Sequence, residues 1–245
     1  MKVMDETQMT QDQMTQESKD EAQCTQAVPK IKICGITTRQ EAEWLNEAQA
    51  DYAGFVFYEK SRRNINISDA AMIRRSLYPG IETVAVTVDP TPQQLRMIEI
   101  GGFDILQVHG TLSLEVLREC RLPIWRAFNI ETLADVVQTP DETPEEAAER
   151  EQLEDAKIEA YVLDGISYGS GRTFDWTDQS TAQIRALFGE KKLILAGGLN
   201  EDNVTEGIAL FQPDVVDVSS GVERAYGSGK DEEKIRRFIR KVRGQ

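Results

Sequence analysis

Three side chains that can transfer protons each stand at the end of a short apolar run. They are the thiol of Cys34, the imidazole of His109 and the carboxyl of Asp164, and a glycine follows each of them directly. A thiolate or carboxylate can act as a general base, and a protonated carboxyl can act as a general acid. Each residue alone is more often structural, but the three together predict one shared site for proton transfer.

Two further run ends carry residues suited to binding a phosphate. Gly197 and Gly198 end the seventh apolar run, and Ser219 and Ser220 end the eighth. Glycines let backbone N–H groups approach phosphate oxygens, a helix N-terminus adds a favourable dipole, and serine hydroxyls can donate further bonds. Two ordinary turns are the structural alternative, and we expect a phosphate site in preference to it.

Eight apolar runs position these residues. They are rich in Val, Ile, Leu and Phe, as strands buried on both faces are, and amphipathic segments separate them. The runs are KIKIC (30–34), YAGFVF (52–57), TVAVTV (83–88), ILQVH (105–109), IWRAF (124–128), AYVLD (160–164), KLILAG (192–197) and VVDVSS (215–220). Eight such units in about 215 residues favour a closed (β/α)8 TIM barrel over an open doubly wound sheet. The carboxyl ends of the strands then meet at one mouth.

The segments between the runs predict helices. Apolar stripes occur at 37–49, 67–77, 91–100 and 230–242. Ser68 and Asn200 are candidate N-caps, and Pro92 fits a first helical turn.

Composition narrows the class of protein. The chain has 245 residues, of which 40% are hydrophobic, and its net charge is −14. One large domain fits this length, and the absence of a basic run argues against nucleic-acid binding. No apolar run is long enough to span a membrane, so we expect no membrane partner. Three well-separated cysteines and no apolar leader favour a reducing, cytoplasmic location.

Two segments fall outside the barrel pattern. Residues 1–29 are polar, Gln-rich and acidic, which predicts a disordered tail before a barrel domain at 30–245. Residues 131–159 are too long for one helix, and we expect a solvated acidic insertion around 138–156 between helical pieces. A decorated surface loop explains this insertion better than a functional lid.

Seven motifs, in order along residues 30–242, resemble the phosphoribosylanthranilate isomerase family of tryptophan biosynthesis. They are KICGIT (32–37), SRRNI (61–65), QVHG (107–110), Asp164-Gly165, GSGRTFDW (169–176), LAGGLNEDNV (195–204) and VDVSSGVE (216–223). The resemblance implies a (β/α)8 barrel without a cofactor or metal. It also implies an Amadori rearrangement of N-(5-phospho-β-D-ribosyl)anthranilate, a phosphosugar. One departure is Tyr168-Gly169, where the family commonly has two glycines.

The resemblance implies a role for each matching residue. Cys34 matches the general base, Asp164 matches the general acid and Arg63 matches the arginine that holds the anthranilate carboxylate. Gly165, Gly197, Gly198, Ser219, Ser220 and His109 fall in the matching substrate-binding motifs. A monomer and a homodimer both remain open.

The chemistry sets requirements on the two catalytic groups. Asp164 must have a raised pKa or become protonated on substrate binding, because a free carboxyl is ionised near pH 7. Cys34 must have a lowered pKa or act from a minor thiolate population, because a free thiol has a pKa of about 8.5. Lys32 shares a strand face with Cys34, so it either favours the thiolate or pairs with Asp217 on the neighbouring eighth strand.

Two other functions remain to be weighed. An aminoaldose isomerase of histidine synthesis would be expected to use aspartates at both strand ends, and Cys34 argues against it. A non-catalytic phosphosugar-binding regulatory barrel would need neither Cys34 nor Asp164.

Overall fold

Eight parallel strands close into a barrel in chain order, β1 to β8. The computed structural model describes residues 28–129, 142–165, 186 and 189–245. The first and last strands pair directly, with Lys32 opposite Asp217, and this pairing closes the barrel. The predicted (β/α)8 architecture is confirmed.

The strands lie where the apolar runs predict them. Their bounds are β1 Lys30–Cys34, β2 Tyr52–Phe57, β3 Glu82–Val88, β4 Ile105–His109, β5 Ile124–Asn129, β6 Ile158–Asp164, β7 Lys192–Leu195 and β8 Val215–Val218. The last two are shorter than predicted, because the chain turns before the Gly197-Gly198 and Ser219-Ser220 pairs. Those four residues therefore lie on loops at the barrel mouth.

Seven helices cover the described part of the barrel. They are α1 Arg39–Ala48, α2 Ile67–Arg74, α3 Pro92–Gly101, α4 Leu114–Glu119, α5 Pro144–Lys157, α6 Val204–Phe211 and α7 Glu232–Arg243, with a 3₁₀ turn at Ser220–Val222. Pro92 occupies the first turn of α3 as predicted. The cap of α2 is Asn66 instead of Ser68. Asn200 does not cap α6 either, since that helix begins at Val204 and Asn200 accepts N–H groups within the preceding turn.

The core has two layers, one inside the barrel and one between the strands and the helices. The interior layer includes Val84, Trp125 and Val162, and the outer layer includes Phe55, Leu95 and Phe238, all buried. Residues of one strand alternate between the two layers, as expected for a sheet covered on both faces. This packing gives the strand ends a rigid support.

The described part of the acidic segment is a regular helix, α5. Thr143 and Glu146 form a reciprocal capping box at its start, and Pro144 lies in its first turn. Leu153 packs against the outer core layer. Arg150 pairs with Glu142 and Glu154, which neutralises part of the acidic charge. From 144 onward the segment is therefore a wall element of the barrel.

Several expectations concern parts of the chain outside the described residues. These are the tail up to residue 27, the start of the acidic segment, Tyr168-Gly169 and the GSGRTFDW motif. In the described part, no helix combines the length and the apolar character needed to cross a bilayer.

Candidate functional site

A cavity of about 410 Å³ opens at the carboxyl ends of the strands. Eight of the nine predicted site residues line it: Cys34, Arg63, His109, Asp164, Gly197, Gly198, Ser219 and Ser220. The ninth, Gly165, is not a lining residue; its N–H donates to Asp164 Oδ1 at 2.9 Å. The described residues contain no cluster of three or more His, Cys, Asp or Glu side chains arranged to hold a metal ion.

Cys34 lies on the last position of β1, above a buried ion pair. The Lys32 ammonium lies 2.6 Å from Asp217 Oδ2, so the expected pair across the β1–β8 seam is present. Lys32 also lies near the thiol, because both side chains pack against Gly54. A Cβ added to Gly54 would lie 3.0 Å from Cys34 Sγ and 3.2 Å from Lys32 Cε. The two alternatives for Lys32 are therefore compatible, since it pairs with Asp217 and also lies beside Cys34.

Burial and charge oppose each other at the thiol. Burial raises the pKa of Cys34 above its ordinary value, and Asp217 raises it further, whereas the ammonium groups of Lys32 and Lys230 lower it. The net direction is upward. This direction favours the second alternative, in which Cys34 acts from a minor thiolate population.

Asp164 ends β6 in an environment that favours its protonated form. Burial, followed by the negative charge of Asp217, raises the pKa of Asp164 from 3.8 to about 6. The N–H of Gly165 opposes this rise by donating to the carboxylate. A raised pKa is what the acid role requires.

Gly197 makes room for this carboxyl. Its φ is +78°, and a Cβ there would lie 2.9 Å from Asp164 Oδ1 and 2.0 Å from the Gly165 nitrogen. Any larger residue would push into the β6 strand end. Asp164 and Gly197 are thus close neighbours, which brings a predicted proton-transfer group and a predicted phosphate-binding glycine together.

Arg63 reaches the mouth from the loop after β2, and one of its guanidinium nitrogens makes no hydrogen bond to the described residues. Its Nε donates to Glu223 Oε1 at 2.6 Å. Its Nη2 is buried and has no hydrogen-bond partner among the described residues. A buried guanidinium nitrogen without a partner is costly, and a ligand carboxylate would satisfy it.

The Ser219 hydroxyl was expected to donate to a phosphate, but in the structure it donates to the backbone. Its Oγ donates to the carbonyl of Cys34 at 2.9 Å and lies 3.2 Å from Lys230 Nζ. Because the ammonium can only donate, the serine proton is directed to the Cys34 carbonyl. Ser219 therefore joins the ends of β1 and β8 as well as lining the cavity.

His109 is buried, and its ring contacts Gln107. The Nε2 atom lies 2.8 Å from Gln107 Nε2. Burial, with the positive charges of Lys32 and Arg126, lowers the pKa of His109 to about 3. The imidazole is therefore neutral at physiological pH and is not a general acid there.

Two site-related residues were not predicted as such from the sequence. Glu223 binds Arg62 and Arg63, and Lys230 binds Glu223 and Ser219. Glu223 stands inside the VDVSSGVE motif, so its position was a usable signal. No signal in the sequence indicates that Lys230 belongs to the site, because this residue falls at the start of a predicted helix, where charged residues are normally solvated.

The family model described as "N-(5'phosphoribosyl)anthranilate (PRA) isomerase" matches residues 31–241. Among curated relatives, the N-(5'-phosphoribosyl)anthranilate isomerase of Geobacter sp. (strain M21) is 40% identical over 215 residues, which cover 86% of this chain and 96% of the relative. That of Clostridium kluyveri is 36% identical, covering 87% and 98%.

Solved structures agree with this match. The phosphoribosyl anthranilate isomerase of Thermotoga maritima, a dimeric protein crystallised as generated monomers, is 33% identical with a TM-score of 0.68. The match covers 89% of this chain and 100% of that one. A second isomerase structure, in complex with reduced 1-(o-carboxyphenylamino)-1-deoxyribulose 5-phosphate, is 31% identical, with the same TM-score and coverage.

Proposed function

The chain belongs to the N-(5'-phosphoribosyl)anthranilate isomerase family, and we propose that the cavity described above performs that isomerisation, with Cys34 as general base and Asp164 as general acid. The substrate is N-(5-phospho-β-D-ribosyl)anthranilate, and the product is 1-(2-carboxyphenylamino)-1-deoxy-D-ribulose 5-phosphate. The reaction is an Amadori rearrangement, in which an aminoaldose becomes an aminoketose. It gains and loses no atoms, so it requires only proton transfers.

The first step is opening of the sugar ring by Asp164. The protonated carboxyl donates to the ring oxygen, the C1′–O bond breaks, and the nitrogen lone pair forms a protonated imine at C1′. With a pKa of about 6, about one carboxyl in ten carries this proton at pH 7. The same group at its ordinary pKa of 3.8 would be protonated in fewer than about one in a thousand molecules.

The second step is proton removal by Cys34. The thiolate takes the proton from C2′, and the electron pair of that C–H bond forms the C1′–C2′ double bond as the imine is neutralised. The resulting enolamine then tautomerises to the ketone. The nearby Lys32 ammonium favours the thiolate against the burial that opposes it.

The two anionic ends of the substrate fit the two ends of the cavity. Arg63 offers the carboxylate a buried Nη2 that has no partner in the described structure. Gly197, Gly198 and the two serines form the end that binds the phosphate. Holding both ends fixes the sugar between Cys34 and Asp164, and such positioning is itself a large part of catalysis. Neutral His109 is assigned to positioning the substrate.

One observation carries the proposal: a thiol, a carboxyl with a raised pKa, an arginine with an unpartnered nitrogen and the Gly197-Gly198 and Ser219-Ser220 pairs line the same cavity. A barrel that only binds a phosphosugar would gain nothing from a partly buried carboxyl that is costly to ionise. The family match also favours the enzyme over the regulatory alternative.

Two experiments test this function. The gene is expressed in a tryptophan auxotroph that lacks only this isomerase, and growth without tryptophan is scored beside the empty vector. The purified protein is then given the substrate, and the product is identified by mass and chromatographic comparison with a synthetic standard. A pure, folded protein that leaves the substrate unchanged would refute the proposal.

A further inference from the structure

The loop between β8 and α7 folds as a small hairpin. Glu223 and Lys230 form an antiparallel bridge at its base. The N–H of Arg224 donates to the Gly229 carbonyl at 3.2 Å, and the N–H of Asp231 donates to the Val222 carbonyl at 2.9 Å. The hairpin therefore holds an acid and a lysine side by side at the barrel rim.

Lys230 is buried, although it lies in a polar loop. Its side chain is 0% exposed. Its backbone N–H donates to Glu41 Oε1 at 2.7 Å, and its ammonium donates to the carbonyl of Ser219 at 3.1 Å. Burial lowers the pKa of Lys230, and Glu223 only partly offsets this effect. The fold thus keeps an ammonium in this place at a cost in desolvation.

The groups that Lys230 contacts belong to both ends of the cavity. Ser219 lies at the phosphate end. Glu223 Oε1 lies 3.3 Å from Lys230 Nζ and also accepts the Nε of Arg63, at the carboxylate end. Lys230 itself does not line the cavity. It can therefore act on a ligand through Ser219 and Glu223, and its positive charge also lowers the pKa of the Cys34 thiol.

We propose that Lys230 is a positioning residue that aligns the two anion-binding ends of the cavity for one substrate carrying both a phosphate and a carboxylate. The inference rests on the proposed function, which supplies that substrate. By donating to Ser219, Lys230 fixes the loop after β8. By pairing with Glu223, it fixes the acceptor that orients Arg63, and it offsets a negative charge that would repel the substrate carboxylate.

A matched control lies on the opposite side of the same scaffold. Lys157 also donates its ammonium to backbone carbonyls, those of Leu117, Arg118 and Cys120 at the end of α4. It lies outside the cavity lining. Lys157→Met therefore removes a comparable brace without touching the proposed alignment.

The test compares Lys230→Met with Lys157→Met. Turnover by the wild-type protein comes first, and its absence would refute the proposed function and not this inference. In Lys230→Met we expect the KM for the substrate to rise about tenfold or more, as for loss of charge-assisted hydrogen bonds. Inorganic phosphate and anthranilate are used separately as competitive inhibitors, and the inhibition constant of each should rise in this variant. Lys157→Met should keep wild-type values for all three.

Three outcomes would overturn the inference. They are a KM in Lys230→Met within about twofold of wild type, an equal rise in Lys157→Met, or weakening confined to one of the two inhibitors. Where Lys230→Met does not fold, Lys230→Gln takes its place under the same criteria, because it keeps a donor and removes only the charge.

Discussion

The two ends of the barrel treat their polar groups in opposite ways. At the N-terminal end, the Tyr52 ring packs edge-on against Trp125 with centroids 5.0 Å apart, and Lys30 donates to the Tyr52 hydroxyl at 3.3 Å. That hydrogen bond is the main reason why the pKa of Lys30 is raised, which favours its usual charged form. At the mouth, burial disfavours the charged forms of both Asp164 and Lys230.

The difference shows where the fold gives up stability. At the N-terminal end, the contacts of Lys30, Tyr52 and Trp125 stabilise the barrel, and Lys30 and Tyr52 keep the protonation states that they have in water. At the mouth, burial makes the charged forms of Asp164 and Lys230 less favourable than they are in water, and shifted pKa values of this kind are typical of catalytic sites. Substitutions at the mouth should therefore affect turnover, and one of them should increase stability.

The largest expected effect is on turnover in Cys34→Ala. Loss of the base should lower kcat by about 10²–10⁴-fold with little change in KM, because the thiol acts in the transition state. Cys120→Ala is the control, since Cys120 is also a buried free cysteine but lies after α4, away from the cavity. Steady-state kinetics of both variants measures this. Wild-type kcat in Cys34→Ala would remove the base from the mechanism.

The next effect is on binding in Arg63→Ala. Loss of a charge-assisted pair with the substrate carboxylate should raise KM by about 10–100-fold. Arg62→Ala is the comparison variant, because Arg62 binds the same Glu223 and also lines the cavity, but its side chain is 69% exposed. We expect a change below about threefold for Arg62→Ala, as for exposed ion pairs. Equal effects of the two variants would contradict the role assigned to Arg63.

A smaller effect, of opposite sign, is on stability in Asp164→Asn. The folded-state pKa of Asp164 lies above its ordinary value, so ionisation destabilises the folded protein as pH rises from 3.8 to about 6. Above that window the variant should be more stable than wild type by roughly 1–3 kcal/mol, while its turnover falls.

Urea denaturation measures this change at about pH 4 and about pH 8. The free energy gained by the variant should be present at the higher pH and largely absent at the lower one. A gain of the same size at both values would show that ionisation of Asp164 is not its source.

The smallest effect is at the N-terminal end, in Tyr52→Phe. The variant loses the hydroxyl that accepts the Lys30 ammonium but keeps the ring contact with Trp125, so the free energy of unfolding should fall by about 0.5–1 kcal/mol. The kcat should not change. A loss of turnover in a variant that remains folded would contradict the conclusion that the N-terminal end contributes to stability and not to catalysis.

Regular features of the barrel were predictable because they follow from local pattern. Strand alternation placed Lys32 opposite an acid of β8, and the structure has that pair. Another signal was available and unused: Thr143-Pro144-Glu145-Glu146 is a capping-box sequence with proline in the first turn, and it marks the start of α5.

The remaining features depend on contacts between distant segments. The direction of the Ser219 hydroxyl is set by Lys230 on one side and Cys34 on the other. The net direction of the Cys34 pKa results from burial together with three charged neighbours, Lys32, Asp217 and Lys230. Neither outcome is encoded in a spacing or a residue type, so the sequence could place these residues at strand ends but could not determine their hydrogen bonds or protonation.

The seam between β1 and β8 has a consequence for biosynthesis. The proposed base, Cys34, lies on the first strand, whereas Asp217, the partner of Lys32, lies on the last strand and Ser219, which donates to the Cys34 carbonyl, follows that strand directly. A nascent chain on the ribosome carries Cys34 long before it carries Asp217 and Ser219. The site can therefore be assembled only after β8 has been synthesised, and translation products that stop short of β8 should be inactive even where their earlier units have folded.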